Sequence, residues 1–388
     1  MVAQLALSLA LLTGAGLLVR AFWRIQQTPL GMETRNIVTM SLSLSSQRYP
    51  TARQQLSFSE ELEKRLRGSG MFEAVAISDS GPPGVPLRSK ALALLQIDGR
   101  PQDSPVQGTV VWRAVTPDYF HVLGIPIRAG RAFTEDEREP GRNVIIVSQS
   151  LAQCLFHSSN AVGRFIGASQ IVGVAGDVRN SGGPAGGDPE YYVARSRDPA
   201  AVIYGAPDEL RGVVAVVRSR FSSGSASRTV RDILAELDRS LPVQIETMEE
   251  SSARLSIRPR FNAMLLTLFA AIGLALSACG LYGVLGFLVA QRTREIGVRM
   301  ALGATPGAIA GMVLAGLGRW LAVGIAFGLV LSLALSLALR SLLYGVPAYD
   351  PPSWAMAAAA LAATALAAAW RPARRAVRID PVEALRHE

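Results

Sequence analysis

Side chains suited to covalent or acid–base chemistry are few and scattered in this sequence. The three histidines, His121, His157 and His387, stand far apart, and no H-x-x-x-H or C-x-x-C spacing occurs. No local metal-ligand set is therefore present in the sequence. Asp118 in TPDYF and Asp177 in GVAGDVRN are of the right type for a general base, but beside Pro and Gly such carboxylates read as turn and capping residues. Cys154 and Cys279 lie in segments of opposite character and imply no disulfide framework. The chain contains no G-x-x-x-x-G-K-S/T run, which excludes a P-loop nucleotide site. These observations argue against an enzyme and against a bound cofactor, and any ATP must be held by a separate protein.

The densest charge pattern lies in QRTREIGVRMALGATPGAI, residues 291–309. On a helix, Arg292, Glu295 and Arg299 fall at i, i+3 and i+7, with Glu295 ahead of Arg299 in the favourable i,i+4 order. Ile296 and Met300 form an apolar edge beside them. Gly303 is placed to end that helix, Thr305 to cap the next and Pro306 to begin it. From the residues alone this is a short amphipathic hairpin whose arginines lie on lipid headgroups.

The elements around it explain its position. The chain has 388 residues, 49% of them hydrophobic, and a mean hydropathy of +0.28. Four stretches, Met1 to Val19, Phe261 to Gln291, Trp320 to Leu339 and Pro351 to Trp370, hold no charged side chain. Each can cross a hydrocarbon core of about 30 Å, which takes roughly 20 helical residues. Between the first and second lies a long segment rich in charge, Pro and Gly, large enough for its own core. The expected boundaries are a first transmembrane helix at 1–25, an extracytoplasmic α+β domain at 26–258, a second helix at 260–290 and a cytoplasmic loop at 291–316. A third helix at 317–343, a fourth at 352–370 and a cytoplasmic tail at 371–388 complete the chain. The fold class is thus an α-helical membrane protein of four spans with an α+β domain inserted between helices 1 and 2.

The net charge of +9 does not imply nucleic acid. Much of it flanks the spans: Arg292, Arg294 and Arg299 in one loop, and Arg371, Arg374, Arg375 and Arg378 after the last. This is the positive-inside pattern, which places the loop and the tail in the cytoplasm and the large domain outside. Arg20 and Arg24 run against it, because they follow the first span on the outer side. That first span lacks a basic n-region and an A-x-A site, so it reads as a retained anchor.

Within the outer segment, IVTMSLSLS alternates Val38, Met40, Leu42 and Leu44 with Thr39, Ser41 and Ser43, the pattern of a half-buried strand. TARQQLSFSEELEKRLRG then puts Phe58, Leu62 and Leu66 on one helical face, with Glu60–Lys64, Glu61–Arg65 and Glu63–Arg67 spaced as i,i+4 pairs. FEAVAIS resumes as a strand. The same order returns in GVVAVVRS, SASRTVRDILAELDRSLP and VQIET. Two β-α-β units, near 37–79 and 212–248, are therefore expected to pair around a β-rich insert at about 100–200. In the apolar half, Gly280 and Gly283 on the second span, and Gly324 and Gly328 at G-x-x-x-G spacing on the third, invite close helix packing and a dimer or pseudo-dimer.

QRTREIGVRMALGATPGAIAGMVL resembles the cytoplasmic loop of MacB-like and FtsX-like ABC transporter permeases. VTPDYFHVLGIPIRAGRAFTEDE and IVGVAGDVRN resemble that family's outer domain, SLLYGVPAYDP its last outer loop, and RPARRAVRIDPVEALRHE its C-terminal tail. AQLALSLALLTGAGLLVRAFWRIQ is similar to the start of the second half of the duplicated bacterial permeases, which implies one half of a longer protein or a truncated copy. The resemblance implies a permease subunit in the bacterial inner membrane that couples a partner ATPase of MacB/Lol type to the outer domain by mechanotransmission, for export or envelope trafficking. It implies ATPase-coupling roles for Arg292, Arg294, Glu295, Ile296, Gly297, Arg299, Met300, Leu302 and Gly303. Membrane lipid and a periplasmic adaptor or hydrolase are the further expected partners. The alternatives are FtsX-like signalling to a periplasmic partner and an orphan permease without an ATPase.

Overall fold

The computed structural model describes residues 2–84, 88–102, 106–180, 188–198, 210–255, 257–291, 295, 298–299, 302, 305–338 and 349–377. They form two compact units, one of residues 28–256 and one of residues 1–27 with 257–388.

The first unit holds strands β1 (Ile37–Ser43), β2 (Phe72–Ser78), β3 (Ser89–Ala91), β4 (Thr109–Val115), β5 (Ile127–Gly130) and β6 (Val144–Ser148). It continues with β7 (Phe165–Ile166), β8 (Ser169–Ala175), β9 (Glu190–Ala194), β10 (Gly212–Ser219) and β11 (Val243–Thr247). All eleven belong to one sheet of order β11-β1-β10-β2-β4-β9-β6-β8-β5, with β3 on β4 and β7 on β8. Its first four strands interleave the two β-α-β units: β1 lies between β11 and β10, antiparallel to both, and β10 pairs with β2. Helices α2 (Ala52–Gly68) and α5 (Ser223–Leu237) cover one face, burying Phe58, Leu62, Leu66, Val230 and Leu234 against Val38, Met40, Val75 and Val217. Thr51 caps α2 in a capping box with Gln54, which satisfies two otherwise orphaned backbone donors.

The alternation in β1 suggests a strand wet on one face, and the structure differs. Thr39 is 3% exposed and Ile37 is fully buried in a second core with Val115, Tyr119 and Tyr192. A strand in the middle of a sheet with cores on both sides loses its polar face to packing. Of the three helical pairs, Glu61–Arg65 (2.8 Å) and Glu63–Arg67 (2.7 Å) form, while Glu60 approaches Arg197 at 3.7 Å.

The insert does not make a separate layer; it extends the same sheet through an antiparallel contact at Ser78 and Val115. Its connections are mixed, with β4–β9 and β6–β8 parallel and β9–β6 and β8–β5 antiparallel. The short helices α3 (Tyr119–Leu123) and α4 (Gln149–Phe156) belong here, and α6 (Met248–Leu255) follows β11.

The second unit is a bundle of α1 (Val2–Gln27), α7 (Ile257–Gln291), α8 (Pro306–Ala338) and α9 (Pro351–Val377). Each contains a window long and apolar enough to cross a membrane. Leu5 and Leu9 of α1 are buried with Leu281 and Leu285 of α7 and Leu361, Ala365 and Ala369 of α9, so α1 is the central helix.

Candidate coupling site between the second and third spans

The turn between α7 and α8 is the place where two apolar helices present charge together. Glu295 and Arg299 form an i,i+4 ion pair at 2.7 Å with both side chains about half exposed. The Leu302 N–H donates to the Val298 carbonyl (3.0 Å), which holds one helical turn. Leu302 is 83% exposed. The Ala308 N–H lies 3.4 Å from Thr305 Oγ1, at the start of α8, where Pro306 occupies the first position without a missing donor. Arg292, Arg294, Ile296, Gly297, Met300 and Gly303 lie outside the described residues. An exposed ion pair of this kind contributes only about 0–1 kcal/mol to the fold, and Leu302 beside it is largely unpacked.

The helices that carry this turn are locked to α1 by two kinds of contact. An added Cβ at Gly324 would meet Leu5 at 2.8 Å, and one at Gly328 would meet Leu9 at 2.8 Å and the Ala6 backbone at 3.2 Å. Close approach of this type gives apolar helices van der Waals contact that lipid cannot match. Gly280 faces Gln4 at 2.7 Å, whereas Gly283 has nothing within 4 Å. The glycine spacing on α8 is thus occupied inside the chain, and Gly283 makes no close helix contact there. Hydroxyls add a polar seam: Ser8 donates to the Gly273 carbonyl (2.9 Å) and shares a hydrogen bond with Ser277 (2.8 Å), and Ser332 donates to Thr13 (3.2 Å).

At the far end of the bundle, one terminal nitrogen of Arg20 lies 2.7 and 2.6 Å from the two oxygens of Asp350. Asp350 also caps α9 through the Ser353 N–H (3.2 Å) and hydroxyl. This pair accounts for an arginine on the side where the positive-inside pattern disfavours one. Sequence reasoning missed the pair, although Arg20 in an unfavourable place and a lone Asp just before an apolar helix were its two signals.

The outer-domain carboxylates serve structure. Asp177 accepts from the Ser150 N–H (2.7 Å) in the first turn of α4, and Asp118 precedes α3 and pairs with Arg67 at 3.0 Å. Among the described residues no group of His, Cys, Asp and Glu could hold a metal ion, and both cysteines are free. One buried polar cluster stands out. Arg113 Nε donates to Glu190, which also accepts from Asn180 (2.7 Å) and the Tyr192 hydroxyl (3.0 Å), and Arg113 donates to Tyr119 (3.2 Å). Burial alone would lower the Arg113 pKa, but Glu190, Tyr119 and Tyr192 together outweigh it, raise the pKa and keep the guanidinium protonated. Burial and Glu190 raise the Tyr192 hydroxyl well above its ordinary value. The cluster ties β4 to β9 across their parallel pairing, and each member satisfies another.

Four apolar helices, an inserted mixed α/β domain and a charged turn between two spans define a multi-pass membrane protein of the permease type, with its large domain outside the membrane. Residues 2–247 match the MacB-like periplasmic core domain, and residues 267–381 match the FtsX-like permease C-terminal region. The chain belongs to the MacB-like and FtsX-like family of ABC transporter permeases. It is 26% identical over 351 residues to the ABC transporter permease YknZ of Bacillus subtilis (strain 168), covering 87% of this chain and 81% of that one. It is 27% identical over 283 residues to the macrolide export ATP-binding/permease protein MacB of Escherichia coli (strain K12), covering 71% of this chain and 43% of that one. The chain thus spans less than half the length of that relative. The crystal structure of the periplasmic region of MacB from Actinobacillus actinomycetemcomitans aligns with 60% of this chain and 98% of its own, at 15% identity and a TM-score of 0.39.

Proposed function

We propose that this chain is the membrane subunit of a transporter driven by a separate P-loop ATPase, seated in the bacterial inner membrane, with the α7–α8 turn as the ATPase's handle. The observation that carries this reading is Leu302, 83% exposed at a helical turn beside the Glu295–Arg299 pair. An apolar side chain flanked by fixed charges suits a groove that buries the leucine and reads the charges for register. Ile296 and Met300 would seat with it, and Arg292, Arg294, Gly297 and Gly303 would shape the same turn. The MacB relative has ATP-binding and permease in one name, and this sequence holds no P-loop.

Closure of the ATPase would move the turn, tilt α7 and α8, and change the outer domain's shape without cargo passing between the helices. Export or envelope trafficking of a hydrophobic cargo follows from this reading, with two such membrane units side by side.

The test is purification of the tagged full chain from its native membrane in gentle detergent, beside a Glu295→Arg, Met300→Asp variant and a Leu302→Asp variant. A P-loop ATPase recovered with the parent and lost from both variants is the expected result. Equal recovery with all three, or recovery with none, overturns the coupling role.

A further inference from the structure

Half of the outer domain's sheet has an apolar face that needs cover. Helix α4 and the segment 92–97 supply it over most of the insert, burying Leu95, Ile145, Val147, Leu151, Tyr191 and Val193. Where those covers end, a cleft of about 320 Å3 remains, floored by Leu95, Ile145, Tyr191 and Val193. That volume lies at the lower end of the range for small-ligand sites, roughly 300–1,000 Å3, which are mostly apolar with a few placed polar groups. Tyr191 is backed by Trp112, stacked on it at 6.0 Å, so the floor is stiff.

The charges at the opening are unequal. Glu137 and Glu139 both line it, but Glu137 is held by Arg131 at 2.6 Å and Glu139 by Arg197 at 3.4 Å. Arg142, exposed at the mouth, has no ion pair among the described residues. Lys90 lines the same opening, and Glu139 shares Arg197 with Glu60 and Glu135. With Glu137 paired to Arg131, Lys90 and Arg142 set two cations against one partly screened acid, which leaves the mouth positive over an apolar floor. We infer that this cleft binds an amphiphile with an apolar body and one anionic head, carboxylate or phosphate, the body against Tyr191 and Val193 and the head at Arg142. The site requires no ATPase and is independent of the coupling turn.

The experiment uses the full chain alone in phosphatidylcholine nanodiscs, photolabelled with dodecanoate bearing a tail diazirine, with adducts mapped by peptide mass spectrometry. Adducts on the β6 and β9 peptides, displaced by decanoate or decyl phosphate and not by decanol, are the expected result. The stronger of the two anions names the head group. Arg142→Glu should cut that labelling about fivefold or more, as loss and reversal of one partly screened charge contact implies, and Arg142→Lys should retain most of it. Adducts confined to the apolar helices, equal displacement by decanol, or unchanged labelling of Arg142→Glu would each overturn the assignment. Because no ATPase is present, these outcomes leave the coupling proposal untouched, and failure of that proposal leaves this one standing.

Discussion

Arg20 and Asp350 join the end of α1 to the start of α9 across 330 residues of sequence, and their contribution can be worked from the geometry. The Asp350 side chain is 8% exposed, while that of Arg20 is 49% exposed. A hydrogen bond to a charged group contributes about 1.5–3 kcal/mol, and half-exposure of the arginine brings this toward roughly 1 kcal/mol. Arg20→Ala should therefore cost about 1 kcal/mol. Asp350→Ala removes the same contact and the α9 cap on Ser353, worth another ~1 kcal/mol, for a total of roughly 2 kcal/mol. The double variant should cost no more than Asp350→Ala alone, because the shared contact is counted once. The reversed pair, Arg20→Asp with Asp350→Arg, should regain the attraction but not the cap. Unfolding of the full chain in mixed micelles by dodecyl sulfate titration measures each term. A double-mutant coupling below about 0.3 kcal/mol, the scatter expected of independent sites, would refute the reasoning.

Three further outcomes follow from the same structure. Gly324→Leu and Gly328→Leu should each destabilise the bundle by about 1–3 kcal/mol through overpacking against Leu5 and Leu9, while Gly283→Leu should be tolerated; the same titration reads all three. Arg113→Met should cost roughly 3–5 kcal/mol by stranding the Glu190 charge in the core, and adding Glu190→Leu should restore part of the loss, as read by urea unfolding followed by circular dichroism. At Asp238, burial would raise the carboxyl pKa, but hydrogen bonds from Ser240 and Tyr49 together with the charge of Arg48 lower it. A carboxylate favoured in the folded state stabilises it above the unfolded value near 4, and that contribution fades as pH falls toward the folded pKa. Asp238→Asn should therefore lower the melting temperature at neutral pH and flatten its decline in acid, as seen by circular dichroism.

How much of this was legible in the sequence depends on which residues carried the pattern. The two β-α-β units announce themselves because each helix shows one apolar stripe: Phe58, Leu62 and Leu66 in α2, and Val230 and Leu234 in α5. Their interleaving was not legible, since periodicity within a strand says nothing about its neighbour. The same limit hid the merging of the insert into one sheet, where the join at Ser78 and Val115 looks like any other pair of strand ends. The polarity of Thr39 misled for a related reason. A threonine that donates to the Glu246 carbonyl at 3.3 Å can sit in a core, so its type does not report its exposure.

In the apolar half the difficulty differs, because a helix that is hydrophobic all round gives hydropathy no face to choose. The exposed Phe261, Leu268 and Phe327 and the buried Leu5 and Leu9 are equally apolar, and water is not there to sort them. What sorts them is size and hydrogen bonding. Gly324 and Gly328 mark the face of α8 that receives α1, while Ser8, Ser277, Thr13 and Ser332 mark where hydroxyls must find partners once lipid surrounds the bundle. Glycine spacing alone could not say whether the approaching helix came from this chain or from a second copy. The answer lies on α1, where Ala6 packs on Gly328 between Leu5 and Leu9 and Thr13 bonds Ser332 on the same side, while Ser8 turns to Gly273 and Ser277 of α7. A stripe read together with its complement identifies an internal contact, whereas Gly283, with no complement within reach, shows that a glycine taken singly identifies nothing.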